Sequence, residues 1–212
     1  MMSDAIILFD LDDTLYAERD FLHSGWHAVA AASGIDPSEA YALMRSADNA
    51  FDALHERVPG FSVAEMLDIY RNHVPEISLP RGVAEMLGRL SDIYGGAGII
   101  SDGRSATQRN KIKALGIESY FSYISISEEI GADKTSPVPF RLAMRHFGED
   151  KSYIYVGDNI AKDFLWPNRL GWRTVMLEEP VVGRNIHSQQ ITPPSAEHYP
   201  LIRTGNIMNL VE

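Results

Sequence analysis

Cysteine is absent from the 212 residues, which excludes disulfides, thiolate nucleophiles and cysteine metal ligands. Long apolar runs are absent too: no stretch approaches the roughly 20 residues that a bilayer-spanning helix needs. Basic residues are few, 19 Lys and Arg against 29 Asp and Glu, for a formal net charge of −10. That balance argues against nucleic acid and anionic membrane as partners, because both select basic surface. Met1-Met2-Ser3-Asp4 leads into a short apolar run that stops at Asp10. This is the pattern of neither a secretory leader nor a membrane anchor, so a cytoplasmic protein is expected. What is present is ordinary for a globular chain, 45% hydrophobic and 23% charged. The length suits one large domain, or a domain carrying a smaller insert.

The most informative stretch is Phe9-Asp10-Leu11-Asp12-Asp13-Thr14-Leu15, entered through Ala5-Ile6-Ile7-Leu8. A short Ile- and Leu-rich run that stops abruptly reads as a buried central strand. Three carboxylates follow within four residues, and a buried carboxylate costs several kcal/mol unless a cation or donors meet it. Ligands of open α/β sheets bind beyond the carboxyl ends of the strands. Asp10 and Asp12 are therefore candidates for chemistry.

From residue 17 to 79 the pattern is helical throughout. Phe21, Leu22, Trp26, Val29 and Ala30 share one face, and Gly34 is a stop. Asp36-Pro37-Ser38-Glu39 opens a second helix, expected to run to about Val58, where Pro59-Gly60 breaks it. Ser62-Val63-Ala64-Glu65 is a capping box for a third. A strand–helix rhythm then returns: a helix from Val83, a strand at Ala97–Ile100, a helix over 105–115 closed by Gly116, and a strand at Tyr123–Ile126. Next come a helix from Ser136-Pro137, a strand at Tyr153–Val156, a helix over about 160–169 interrupted by Pro167, and a strand at Trp172–Leu177. The alternation predicts an α/β fold with a doubly wound parallel sheet and an inserted helical domain of roughly 60 residues. Residues 183–198 read as a surface loop, Pro200 to Arg203 as an edge strand, and Thr204 as the cap of a terminal helix.

Parallel strands put their carboxyl ends on one side. Asp10, Asp12, Ser101, Asp158 and Asp163 follow such ends, and Lys134 lies in the loop before the Ser136-Pro137 helix. Two unit charges about 4 Å apart repel by roughly 4 kcal/mol at an effective dielectric of 20, so several acids share one volume only with a counter-cation. Oxygen ligands alone suit Mg²⁺, which favours phosphate as a co-ligand. The Ser101-Asp102-Gly103 turn, with glycine permitting close backbone approach and a helix start offering N–H groups, suits a phosphate dianion.

DLDDTL, the IISDG turn, Lys134 in GADKTSPVPF and the run GDNIAKDF resemble, in order and spacing, the four motifs of the haloacid dehalogenase (HAD) superfamily. The resemblance covers residues 5–16 and 80–177, and the insert resembles the helical cap of subfamily I. It implies a Rossmann-like core over 1–16 and 80–212 with a cap over 17–79. It further implies that Asp10 is the nucleophile that becomes an aspartyl-phosphate and Asp12 the general acid and base. Asp10, Asp158 and the backbone carbonyl of Asp12 would bind Mg²⁺, with Asp163 a further ligand or an anchor. Ser101, Asp102, Gly103 and Lys134 would hold phosphate. Members that cleave carbon–halogen bonds lack an acid at the second position, because halide leaves without a proton. An alkoxide leaves with one, so Asp12 points to a phosphatase.

The insert would choose the substrate. His23 and His27 are four apart on one helix face and are weak candidates for leaving-group contact, with Trp26 expected to pack inside. Four arginines (Arg19, Arg45, Arg57, Arg71) and no lysine against ten acids in 17–79 disfavour a highly anionic leaving group. The expected substrate is a small phosphomonoester such as a sugar phosphate or nucleoside monophosphate. A phosphomutase, a non-catalytic binding module and a protein phosphatase are the rival readings, and the sequence leaves the oligomeric state open.

Overall fold

The computed structural model describes residues 4–46, 49–178 and 192–210. Its centre is β1 (Ile6–Phe9), four residues buried on both faces. Side chains alternate along it: Ile7 and Phe9 point into one apolar cluster, Ile6 and Leu8 into another. β1 lies between β2 (Gly96–Ser101) and β4 (Tyr153–Gly157), both parallel to it. β3 (Tyr123–Ile126), β5 (Arg173–Leu177) and β6 (Ile202–Thr204) complete a parallel sheet of order β3-β2-β1-β4-β5-β6. The chain builds outward from β1 in one direction and then, from β4, in the other. The crevice of an open sheet opens where the order reverses, here at the carboxyl ends of β1 and β4.

Four helices connect β1 to the rest: α1 (Glu18–Ser33), α2 (Pro37–Ser46), α3 (Ala50–Arg57) and α4 (Val63–Asn72). They pack round their own cluster of Trp26, Val29, Ala30, Ala40, Leu54 and Met66, with the Trp26 indole stacked on Phe51 at 4.8 Å. Gly34 ends α1 at φ 72°, and both arms of the Ser62–Glu65 capping box are formed. The expected second helix is two helices. Asn49 caps α3 by accepting from the Asp52 N–H, so the chain restarts there although the apolar stripe continues through Phe51 and Leu54.

In the sheet domain, α5 (Val83–Ile93) and α6 (Ser105–Leu115) cover the Ile7/Phe9 face, while α8 (Val138–Phe147) covers the other. Before α8 comes the single turn α7 (Ser127–Ile130), and α9 (Leu165–Arg169) precedes β5. The helix expected from residue 160 begins only at Leu165. Residues 160–164 form turns in which the Asn159 carbonyl accepts the Lys162 and Asp163 N–H groups, while the Asp163 carboxylate takes the N–H groups of Asp158 and Asn159. Pro167 sits within the first turn of α9, where its missing N–H leaves no intrahelical bond unmade. Of the loop expected over 183–198, residues up to 191 lie outside the described ones, and Ala196–His198 form a 3-10 turn. Thr204 does not start an α-helix: its Oγ1 accepts from the Asn206 N–H, and a 3-10 turn at Ile207–Leu210 follows. Among the described residues no helix is long and apolar enough to cross a membrane.

Candidate active site

β1 delivers Asp10 at its carboxyl end, where the Asp10 N–H still bonds the Val156 carbonyl at 2.8 Å, so this aspartate is fixed by the sheet itself. The chain then turns sharply through Asp13, which adopts φ 57°. Aspartate tolerates this left-handed conformation better than most residues, and the Asp13 carboxylate accepts the Glu18 N–H at 2.8 Å. The turn thereby couples the strand to the start of α1.

Lys134, 4% exposed, reaches Asp10 Oδ1 at 2.6 Å and Asp163 Oδ1 at 2.7 Å. Asp163 is fully buried, and its Oδ2 accepts the N–H groups of Asp158 (3.1 Å) and Asn159 (2.8 Å). It therefore shapes the loop after β4 that presents Asp158. A side chain at Gly157 would force this arrangement to shift, since a Cβ there would meet Asp163 Oδ2 closer than van der Waals contact allows, at 2.4 Å. Thr14 donates to Asp10 Oδ2 at 3.4 Å.

Asp10, Asp158 and Asp163 each present a carboxylate oxygen, all within 4.8 Å of one another and all buried. Burial pushes Asp10 up to about 7, against the pull of Lys134 and with a further push from Asp163. Burial, then Asp163 and Asp10, push Asp158 up to about 9. Lys134 stays charged, because Asp10 and Asp163 overcome its desolvation. One lysine is thus too little positive charge for this set, and a hard divalent cation fits oxygen donors so arranged. Asp10 and Asp158 line the cavity at this site and Asp163 does not. Both Asp163 oxygens hold bonds of 3.1 Å or less, whereas Asp10 Oδ2 is met by Thr14 at 3.4 Å, so Asp10 and Asp158 are the better placed for direct contact with a cation and Asp163 suits the role of anchor.

Asp12 lies in a different environment. Its Oδ1 accepts from Tyr16 Oη at 2.5 Å and Lys111 Nζ at 2.7 Å, and its Oδ2 from Gln108 Nε2 at 2.7 Å. Burial opposes its ionisation, but Lys111 and the hydrogen bonds outweigh that and hold its carboxyl below the usual carboxylate range. Gln108 Nε2 also lies 2.6 Å from Ser101 Oγ, leaving the serine hydroxyl proton to donate elsewhere. Lys111, Gln108 and Tyr16 were not among the residues singled out from sequence. The available signal was weak: Gln108 and Lys111 share the i, i+3, i+4, i+7 stripe of Ile112 and Leu115, the face of α6 that is buried.

A cavity of about 120 Å³ collects these groups, with six carboxylates (Asp10, Asp12, Asp13, Glu18, Asp102, Asp158) and two lysines (Lys134, Lys162) on its wall. Asp102 accepts the Lys134 backbone N–H at 3.1 Å. Two N–H groups at the start of α6 are engaged within the protein: Gly103 (φ 145°) donates to Ser127 Oγ and Ser105 to Glu128 Oε2. Glu128 and Glu129 sit over that helix start because α7 brings them there. His23 and His27 are exposed and do not line the Asp10 cavity. They line a separate one with Asp20, Ser24 and Glu76, and the His23 ring packs against Tyr41 at 4.4 Å, tilted by 44°.

The family model described as haloacid dehalogenase-like hydrolase matches residues 7–177. The chain is 28% identical over 192 residues to the glyceraldehyde 3-phosphate phosphatase of Methanopyrus kandleri, covering 81% of this chain and 82% of that protein. It is also 28% identical over 193 residues to the pyrimidine 5'-nucleotidase YjjG of Escherichia coli, covering 81% and 84%. In fold it is similar to YfnB from Bacillus subtilis in a magnesium-bound crystal structure, with a TM-score of 0.70 at 18% identity over 98% of this chain and 97% of that one. It is likewise similar in fold to a 2-haloacid dehalogenase from Pseudomonas syringae, with a TM-score of 0.63 at 18% identity over 99% and 96%.

Proposed function

The chain belongs to the haloacid dehalogenase-like hydrolase family, and on that premise we propose that it is a Mg²⁺-dependent phosphatase of small phosphomonoesters. One observation carries this reading: Asp10, Asp158 and Lys134 converge at the sheet's reversal point, with a second carboxylate, Asp12, two residues along.

In this reading Asp10 attacks phosphorus in line. The ester P–O bond breaks, an Asp10 acyl phosphate forms, and the departing alkoxide takes a proton from Asp12, which is ionised in the free protein and receives that proton from the phosphate monoanion as the ester binds. Asp12 then takes a proton from water as that water attacks phosphorus. The Asp10–phosphorus bond breaks and inorganic phosphate leaves. Ser101 and Lys134 hold non-bridging phosphate oxygens, and Lys134 also orients Asp10 through its 2.6 Å contact. Asp10, Asp158 and the Asp12 carbonyl would hold Mg²⁺, which supplies charge neutralisation for the nucleophile and phosphate when bound. Halide needs no proton on leaving, so a carboxylate at position 12 favours ester chemistry over dehalogenation.

The helical segment 17–79 acts here as a cap over the site. None of its four arginines lines the Asp10 cavity, and only Glu18 does so from α1. That wall suits an uncharged, hydroxyl-bearing leaving group and disfavours bisphosphates. With relatives named for glyceraldehyde 3-phosphate and for pyrimidine 5'-nucleotides, the small cavity favours the shorter leaving group. The test is a panel of phosphomonoesters (glyceraldehyde 3-phosphate, glycerol 3-phosphate, glucose 6-phosphate, UMP) assayed for released phosphate with MgCl₂ and with EDTA. Expected is magnesium-dependent release, fastest with the three-carbon esters and abolished by Asp10→Asn. Full release in EDTA, or from the Asp10→Asn protein, overturns the reading.

A further inference from the structure

We infer that Lys111 and Gln108, on the buried face of α6, are positioning residues that clamp the Asp12 carboxylate. The inference rests on the phosphatase reading above and adds residues to it. Lys111 is 3% and Gln108 2% exposed. A lysine is almost never buried so deeply unless paired, and Lys111 has the Asp12 contact at 2.7 Å as its close ion pair, with Glu18 Oε1 farther off at 4.0 Å.

The three donors to Asp12 come from two directions. Tyr16 and Lys111 converge on Oδ1, and Gln108 takes Oδ2. A carboxylate gripped at both oxygens cannot rotate about its last torsion without losing charge-assisted bonds. Gln108 also bonds Ser101, so the proton-transfer carboxylate and the serine assigned to phosphate share one amide as their spacer. Neither Lys111 nor Gln108 lines the Asp10 cavity. They act through Asp12.

The clamp also meets the cap. Lys111 Nζ lies 4.3 Å from the centre of the Phe21 ring on α1, a cation–π contact in a buried setting. One residue before Gln108 on α6, Thr107 donates to the Arg71 carbonyl at the end of α4. One helix therefore holds the acid–base carboxylate and touches both ends of the helical segment.

The test separates positioning from general structural damage by leaving group. An aryl ester such as p-nitrophenyl phosphate releases a stable phenolate and needs no acid, whereas glyceraldehyde 3-phosphate releases an alkoxide that does. With Lys111→Met, kcat/KM for glyceraldehyde 3-phosphate is expected to fall about 100-fold, within the usual range for acid–base contributions. For p-nitrophenyl phosphate kcat/KM is expected to stay within about threefold, while kcat falls more than 10-fold. A burst of p-nitrophenol should then appear, because breakdown of the acyl phosphate still needs the Asp12 base. Gln108→Leu is the second variant, should the lysine change unfold the protein, and the same pattern is expected at lower amplitude. Equal losses of kcat/KM on both esters in the folded variant that is measured overturn the clamp and leave the phosphatase reading intact. A wild-type protein inert on both esters with Mg²⁺ overturns the two together.

Discussion

Asp163 and Lys134 form a buried ion pair, 2.7 Å from Oδ1 to Nζ, in which neither group faces solvent. The same lysine holds Asp10 and the same aspartate holds the backbone of the Asp158 loop. The pair thus joins the strand end that carries Asp10 to the strand end that carries Asp158. Truncating one partner of a buried pair leaves an uncompensated charge, a loss of about 3–5 kcal/mol. Asp10 remains to accept Lys134, so Asp163→Ala is expected toward the lower end, read as a drop in urea midpoint. The Mg²⁺ concentration for half-maximal activity should rise roughly 10- to 100-fold, as for loss of groups that orient metal ligands. An Asp163→Ala protein with wild-type magnesium dependence would detach this residue from the site.

Gly157 tests the same relationship from the backbone side. A methyl group there would overlap Asp163 Oδ2, which is pinned by two N–H groups and cannot retreat without releasing them. Gly157→Ala is expected to cost about 1–3 kcal/mol, the usual range for overpacking a filled interior. It should weaken Mg²⁺ response in parallel. A variant as stable and as active as wild type would show that the loop has slack the present packing does not suggest.

The helical segment offers a contrasting prediction. His23 and His27 sit on the outer side of α1, in a cavity apart from Asp10. His27→Ala is expected to leave kcat/KM on glyceraldehyde 3-phosphate within about twofold, the scale of surface changes away from the site. A loss of tenfold or more would bring that face back to the substrate.

How far the sequence could be read depends on whether the deciding interaction is local. The β1 run, the Gly34 and Gly116 stops and the Ser62–Glu65 box are set by residues close in the chain, and they form where the pattern puts them. The break between α2 and α3 was not legible, because the apolar positions continue in helical period across it and only the Asn49 cap marks it. Residues 160–164 have helical composition, but they form turns in which the Asp163 side chain bonds the Asp158 and Asn159 N–H groups and Lys134, which lies 29 positions earlier, and that last contact is not local in the chain. Lys111 and Gln108 are separated from Asp12 by about a hundred residues, and on a helix such residues look like ordinary surface groups until the strand order is known. The N–H groups of Gly103 and Ser105 are engaged by Ser127 and Glu128, whose approach depends on α7 folding back over the α6 start.

The last prediction concerns pH. Asp10 and Asp158 have native values near 7 and 9, well above the 3.8 of a free carboxylate. Between pH 4 and those values the unfolded chain has lost protons that the native state keeps, so fewer protons are bound unfolded than folded. Stability of the metal-free protein is therefore present at low pH and falls as pH rises through this window. Lys134, raised above its ordinary value, stays charged throughout and adds no slope of its own there. A divalent cation reverses the trend, since it binds the ionised carboxylates and must displace their protons. The increment in Tm from 5 mM MgCl₂ is accordingly expected to be small at pH 5.5 and to grow through pH 7 to 8.5, by mass action on a site that tightens with deprotonation. Differential scanning fluorimetry with MgCl₂ and with EDTA at those three values measures it. An increment that is constant or largest at pH 5.5 would mean that Asp10 and Asp158 are already ionised in the metal-free fold, and that other charge in the cavity compensates them.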